Sequence, residues 1–113
     1  MREVDILGVK YTIKADNSNN PKLIDSNAYC EVYSKEIVYD ENLKHNYYDC
    51  RSVNNFEEFA KKVLRHEAMH AIFHESGCTE WETDEILVDF IAVQYPKIKK
   101  IFEEIEKSFN EVE

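Results

Sequence analysis

The sequence predicts a segregated α+β fold, with a small antiparallel or mixed β-sheet at the N-terminus and helices after it. Two observations carry this prediction. Within residues 4–39 apolar side chains alternate with polar ones, which is typical of half-buried strands, whereas from position 55 onward they recur at helical spacing. A length of 113 residues suits one domain and leaves no room for a second folded module. We therefore expect a single domain over residues 1–113.

The strands are expected in two pairs. Residues Val4–Lys14 alternate on both sides of Gly8, which predicts a hairpin. The stretch Tyr29–Tyr39 alternates again and is broken by Ser34 and Lys35, in the manner of a strand, a turn and a second strand. Polar stretches after each pair are expected to be turns and loops. They are Asp16–Pro21 and Asp40–Asn54.

Three helical segments follow. The first begins at Asn55, which with Glu58 resembles a capping box, and ends before Gly77. The second begins at Thr83 and is expected to end at Pro96, because proline lacks the amide hydrogen that a helix interior uses. A third segment is amphipathic. Its apolar face consists of Ile98, Ile101, Phe102, Ile105 and Phe109.

Charge and cysteine content narrow the classes of function. The net charge is −9, so the molecule as a whole repels nucleic acid and anionic membranes. No apolar run reaches about 18 residues and no basic start precedes an apolar stretch, so we expect a cytoplasmic protein that neither spans nor crosses a membrane. Cys30, Cys50 and Cys78 are odd in number and far apart, which favours reduced thiols.

A pair of histidines gives the clearest chemical signal. His66 and His70 enclose Glu67 in the motif HEAMH of the first predicted helix. Residues four apart share a helix face, so both imidazoles can reach one ion, and zinc takes nitrogen ligands at about 2.0–2.1 Å. Glu67 points to one side, where it can accept a proton from a metal-bound water. The pattern predicts a zinc site suited to hydrolysis, with chance spacing and a purely structural site as alternatives.

Other candidates near this motif are weaker. His74 lies about 12 Å along the helix from His66, so we expect a surface or packing histidine. Cys30 is expected to be a small buried residue, with an inhibitory thiolate ligand as the alternative. Hydrolysis also requires a donor to the oxyanion, and spacing selects none. The candidates are His45, Tyr47, Tyr48 and Tyr95.

Two stretches, HEAMHAIFHESG and TDEILVDFIAVQYP, resemble the gluzincin metallopeptidases. They are most similar to small minigluzincin-like and ImmA/IrrE-type proteins of prophages and mobile elements, and ILGVKYTIK and YCEVYSKEIVY extend the resemblance over nearly the whole chain. The resemblance implies that a Glu on the following helix completes the zinc site and that a carboxylate one turn later orients the first histidine. Glu85 and Asp89 match these two positions, although the larger relatives often carry Asn where Asp89 stands.

The composition of the second helix supports the same two residues. Apolar side chains cover most of its directions, so we expect it to be buried, and only Glu85 and Asp89 interrupt it, one turn apart. Buried carboxylates need a cation or hydrogen-bond donors. Glu82 and Asp84 are adequately explained by the helix dipole. Glu85 is thus assigned to the metal and Asp89 to a histidine NH, with the reverse order as the main alternative.

These residues together predict zinc-dependent hydrolysis of a peptide or protein. Zinc held by His66, His70 and Glu85 would lower the pKa of its bound water towards about 7. Glu67 would take that proton and return it to the leaving amine.

Several alternatives stay open. The strand Ser34–Tyr39 either pairs with an extended substrate along the cleft, as the resemblance implies, or is an ordinary core or edge strand. Two alternatives to an active peptidase also stay open. The chain is either a catalytically silent, zinc-stabilised interaction module or a latent peptidase whose own segment Ile98–Glu113 occupies the cleft. The oligomeric state is not predicted.

Overall fold

The computed structural model describes residues 1–17, 19–43 and 56–111. Four strands precede the helices, which confirms the predicted α+β class. The strands are β1 (Arg2–Ile6), β2 (Val9–Asp16), β3 (Ala28–Glu31) and β4 (Glu36–Asp40). The helices are α1 (Phe56–Glu75), α2 (Thr79–Glu82) and α3 (Glu85–Phe109), with a 3-10 turn at Pro21–Leu23. The capping box expected at Asn55 lies outside the described residues.

Both predicted hairpins are present in one sheet of order β1-β2-β4-β3. β1 pairs with β2 and β3 with β4, each antiparallel, whereas β2 and β4 are parallel. The first turn requires positive φ at Leu7 and Gly8, and the Gly8 amide donates to the Asp5 carboxylate at 2.7 Å. The alternation of apolar and polar residues therefore predicts where the strands lie in the sequence. It does not predict the order in which they lie side by side in the sheet.

The strand predicted over Ser34–Tyr39 is an inner strand of this sheet. It is β4, whose two edges are taken by β2 and by β3. Its backbone groups are already paired on both sides, so it has no edge to offer to a substrate. The expectation that it pairs with an extended peptide is therefore wrong, and β3 forms the edge instead.

Helix α1 lies across the sheet and buries its apolar face there. Tyr11 and Ile37 from the sheet pack with Ala71 of α1, and all three are essentially inaccessible. The Tyr11 hydroxyl donates to the Glu75 carboxylate at 2.6 Å, and Lys35 donates to the same oxygen at 2.7 Å. The hydrogen bond from Lys35, which has the larger effect, and the one from Tyr11 both lower the pKa of Glu75. The sheet is thus joined to the last turn of α1 by both apolar and polar contacts.

Pro96 does not end the second helix. α3 continues through it as a single helix from Glu85 to Phe109, so the two segments expected on either side of Pro96 are one. A proline at this position leaves the Ala92 carbonyl without its helical donor. The guanidinium of Arg65 in α1 supplies one, with its Nε–H donating to that oxygen at 2.8 Å. A tertiary contact thus replaces the bond that proline removes.

The first half of α3 is less buried than its composition predicts. Only Val88 and Ala92 are fully buried, and Ile86 is 85% exposed, because within the described residues this helix packs against the other helices on one side only. The N-cap is Asp84 and not Thr83, since the Asp84 side chain accepts from the Leu87 amide at 3.0 Å. None of the described helices has the length and apolar character needed to cross a membrane.

Candidate metal centre

An open cleft of about 530 Å³ lies between β3, the middle of α1 and the junction of α2 with α3. Helix α1 contributes His66, Glu67 and His70, which are partly buried and line the cleft. Glu85, the first residue of α3, closes one side. No residue beyond Glu85 lines the cleft, so the described part of the C-terminal segment does not occupy it as the latent alternative expects.

Three ligand atoms converge at this place. The His66 Nε2 lies 2.9 Å from one Glu85 oxygen, and the His70 Nε2 lies 3.0 Å from the other. All three ligand atoms fall within 4.8 Å of one another. A tetrahedral ion with ligands at about 2.0–2.1 Å holds neighbouring ligand atoms about 3.3 Å apart, so the spacing is close to that of a metal site. His66, His70 and Glu85 therefore form a group that can hold a metal ion.

The other nitrogen of each ring is held by an acceptor. His66 Nδ1 is 3.0 Å from Asp89 Oδ1, and His70 Nδ1 is 2.6 Å from the backbone carbonyl of Glu82. A carbonyl or an ionised carboxylate can only accept, so both Nδ1 atoms carry the ring proton. Each Nε2 then turns a lone pair toward Glu85, which is also an acceptor. Two acceptors at this distance need a proton or a cation between them, which fits a metal ion.

Asp89 is placed behind the first histidine by a second contact. The ammonium of Lys62, one turn before His66 on α1, donates to the same Asp89 oxygen at 2.8 Å. This hydrogen bond, followed by the one from His66, lowers the pKa of Asp89 and keeps it ionised. The expected burial of the two carboxylates is wrong, because the side chains of Glu85 and Asp89 are 66% and 43% exposed. The positions of these two carboxylates are explained by their contacts with side chains of α1 and not by burial in an apolar environment.

Glu67 lines the same cleft, and its carboxyl is less accessible to solvent than that of Glu85. Burial raises the pKa of its carboxyl, and the neighbouring imidazoles of His66 and His70 act in the opposite direction. A raised pKa makes a carboxylate a stronger proton acceptor near neutral pH. Glu67 is thus in the cleft, beside the ligand group and outside it.

His74 stays apart from the ligand group, as its spacing predicts. Its ring packs edge to face on Tyr33 at 5.6 Å, and its Nδ1 lies 3.1 Å from the Glu82 carboxylate. The Glu82 carbonyl thus contacts His70 and the Glu82 carboxylate contacts His74. The expectation that the helix dipole alone explains an acidic residue at this position is therefore wrong. Tyr95, one of the oxyanion candidates, lies under the Arg65 guanidinium and lines a different pocket. The other three, His45, Tyr47 and Tyr48, lie outside the described residues.

Cys30 lines the cleft and also packs against the core. Burial raises the pKa of its thiol to about 12, and the carboxylates of Glu67 and Glu82 add to the effect. Cys30 is partly buried and is not part of the group formed by His66, His70 and Glu85, which fits a packing residue better than a metal ligand. Cys30 and Cys78 are free thiols, and Cys50 lies outside the described residues.

Two residues that position the histidines were missed in the sequence. Lys62 stands four residues before His66, so the spacing of Lys62, His66 and His70 already marks one stripe of α1. That stripe was a usable signal. The Glu82 carbonyl gave none, because any residue type offers the same backbone oxygen.

Comparison of the chain with models of protein families, with curated proteins and with solved structures finds no match in any of the three. The resemblance to gluzincins therefore rests on the motifs alone and stays a prediction.

Proposed function

We propose that this chain is a zinc-dependent peptidase in which His66, His70 and Glu85 hold the zinc ion and Glu67 is the general base. One observation carries the proposal: the convergent ligand group lies in an open cleft with an additional, partly desolvated carboxylate beside it. A purely structural zinc site does not require that fourth group or an accessible cleft. The choice of zinc is supported by the donor set of two imidazoles and one carboxylate.

A zinc ion held by His66, His70 and Glu85 would supply a Lewis acid that polarises a carbonyl and makes water a stronger acid. The remaining work belongs to side chains of this protein. Glu67 accepts a proton from the water that adds to the peptide carbonyl, holds it on its carboxylate, and passes it to the amine that leaves when the C–N bond breaks. Asp89 and the Glu82 carbonyl fix the rings of His66 and His70, so that each Nε2 stays aimed at the ligand group.

The edge strand β3 supports a peptide as the substrate. The amide of Asp40 donates to the Asn27 carbonyl at 2.9 Å, so Asn27 belongs to a hydrogen-bonded pair of the β3–β4 ladder. Orientation alternates along an antiparallel strand, hence Cys30 turns its N–H and C=O away from β4. No described strand occupies that edge, and Cys30 lines the cleft. An extended peptide can add to β3 there and lie across Glu67 and the histidines.

A zinc-stabilised interaction module without catalysis is the second candidate. It is favoured by the way the ligands join α1 to the first residue of α3, since an ion there would cross-link two helices. This candidate predicts folding that depends on zinc and no turnover.

Substitution Glu67→Gln separates the two candidates. The amide cannot take a proton, so the variant should keep stoichiometric zinc while cleavage of a peptide library falls by about 10²–10⁴-fold. Glu80→Gln, an exposed carboxylate on α2, is the matched control and should retain activity. Equal cleavage by Glu67→Gln and the wild type would remove Glu67 as the base. A zinc-loaded wild type that cleaves nothing would favour the interaction module, and a chain that binds no zinc would refute both.

A further inference from the structure

The end of α3 forms an exposed arm, defined here as residues 97–111. Every residue from Lys99 to Glu111 is exposed, and the protein extends over 60 Å along its longest axis. At about 1.5 Å per residue, the 25-residue helix is about 37 Å long, so it accounts for much of that extension. No described element packs on the arm.

The arm nevertheless carries an apolar stripe. Ile98, Ile101, Phe102 and Ile105 stand at positions i, i+3, i+4 and i+7, which places them on one face. The last three are 55%, 59% and 61% exposed, so that face meets water along its length. A contiguous apolar face of this kind marks an interaction surface.

The charges around the stripe identify what the surface fits. Residues 97–106 read KIKKIFEEIE, and the segment read backward exchanges every lysine for a glutamate while it keeps every apolar position. The midpoint lies between Ile101 and Phe102. When two copies of such a helix lie antiparallel about that midpoint, isoleucine 98 of one copy is level with isoleucine 105 of the other, and basic residues are level with acidic ones.

The charged residues on the two sides of the apolar stripe, called its flanks here, also place lysine opposite glutamate in an antiparallel pair. Lys97 and Glu104 lie seven residues apart and so share one flank, and Lys99 and Glu106 share the other. In an antiparallel pair with twofold symmetry, each flank faces the same flank of the partner, so lysine faces glutamate on both sides. A parallel pair would place lysines against lysines. Within the described chain, Lys97 and Glu106 form no ion pair of their own.

We propose that this chain forms a twofold-symmetric homodimer through antiparallel pairing of the α3 arms. The apolar stripes form the contact, and the four flanking lysine–glutamate pairs fix the direction and the register. The interface is small by the standard of specific complexes, so the dimer is weak and reversible. The proposal is independent of the metal site, which lies at the other end of α3.

Sedimentation velocity of the full chain over a wide concentration range tests the pairing. The wild type should shift from the 13.4 kDa monomer to a species of twice that mass as concentration rises. Ile105→Asp should raise the dissociation constant by more than about tenfold, because the change occurs in both copies. Ile24→Asp, at an isoleucine that is 65% exposed elsewhere, is the matched control and should not. A wild type that stays monomeric at millimolar concentration, or a dimer that survives Ile105→Asp, would overturn the proposal.

A charge exchange tests the direction. The variant Lys97→Glu, Lys99→Glu, Glu104→Lys, Glu106→Lys keeps antiparallel complementarity with itself, and it should form homodimers as the wild type does. It should not pair with a fluorescently labelled wild-type chain, because like charges would then meet on both flanks. Pairing of the exchanged chain with wild type in preference to itself would indicate a parallel arrangement and refute the antiparallel one. Circular dichroism on each variant verifies the fold.

Discussion

The side chain of Arg65 and the backbone of Ala92 meet where α3 loses one of its own hydrogen bonds. The Nε–H of Arg65 donates to the Ala92 carbonyl at 2.8 Å, and the residue that would normally donate there is Pro96. Arg65 immediately precedes His66 on α1. One turn of α1 therefore carries a member of the candidate ligand group and also donates a hydrogen bond to α3 at its interrupted position.

Removal of this donor should destabilise the fold only while the proline is present. Arg65→Met keeps the apolar stem but leaves the buried Ala92 carbonyl unpaired, which we expect to cost about 1–3 kcal/mol in urea unfolding. With Pro96→Ala in the same chain the helix restores its own donor, and most of the loss should disappear. Lys61→Met, at an exposed lysine on α1, is the control and should change stability by less than about 0.5 kcal/mol. Equal losses in the two backgrounds would contradict the relationship.

Metal affinity should follow the ligand group and not the number of histidines. His66→Ala and His70→Ala should abolish stoichiometric zinc binding, whereas His74→Ala, a similarly buried histidine on the same helix, should retain it. Glu85→Ala should lose more affinity than Asp89→Ala, for which the expected loss is about 10–100-fold because Asp89 acts on the ring of His66. Competition with a chelator measures each constant. A larger loss in Asp89→Ala would reverse the two roles.

The proposed role of β3 gives a prediction for Cys30. Cys30→Pro removes an N–H that faces the open edge and leaves the ladder to β4 intact, so it should raise KM for extended peptides while zinc binding stays normal. Cys30→Ala retains the N–H and serves as the control for the lost thiol. Steady-state kinetics on the two variants gives the comparison. Identical KM values in Cys30→Pro and Cys30→Ala would exclude pairing at this residue.

The Glu75 contacts predict a dependence of stability on pH. Because Lys35 and Tyr11 lower the folded-state pKa of Glu75, the carboxylate stabilises the fold above the unfolded-state value of about 4.3. That contribution should be lost as pH falls from there through the lowered folded pKa. The stability difference between wild type and Glu75→Gln should therefore be constant from neutral pH to about 5 and shrink below it. Tyr11→Phe should weaken the pH dependence, and an unchanged difference down to pH 3 would contradict the assignment.

Local patterns predicted the elements that are determined by local chemistry. The hairpin around Gly8 and the helix that carries HEAMH both follow from periodicity and from residues that favour turns, and the structure contains both. The resemblance to gluzincins and the expectation of burial both indicate Glu85 and Asp89. They lie next to the histidines for another reason, namely their contacts with α1. The argument from burial was wrong even though it pointed to residues that meet the histidines.

The predictions that were wrong for Pro96 and β4 depend on contacts between residues that are distant in the sequence. Pro96 continues a helix because its compensating donor is Arg65, and no pattern near Pro96 contains that information. β4 is an inner strand because it pairs in parallel with β2, from which it is separated in the sequence by β3. The alternation of side chains along β4 is the same for an inner strand as for an edge strand. The order of strands is decided by how the hairpins meet.

That parallel pairing also has a kinetic consequence. Each antiparallel hairpin links strands joined by a short turn, so its ends meet with little loss of chain entropy. The pairing of Thr12 with Glu36 closes a much longer loop, which contains all of β3. Contacts of greater separation form more slowly. The sheet should thus assemble from two early hairpins, and the parallel pairing of β2 with β4 should form more slowly than either hairpin.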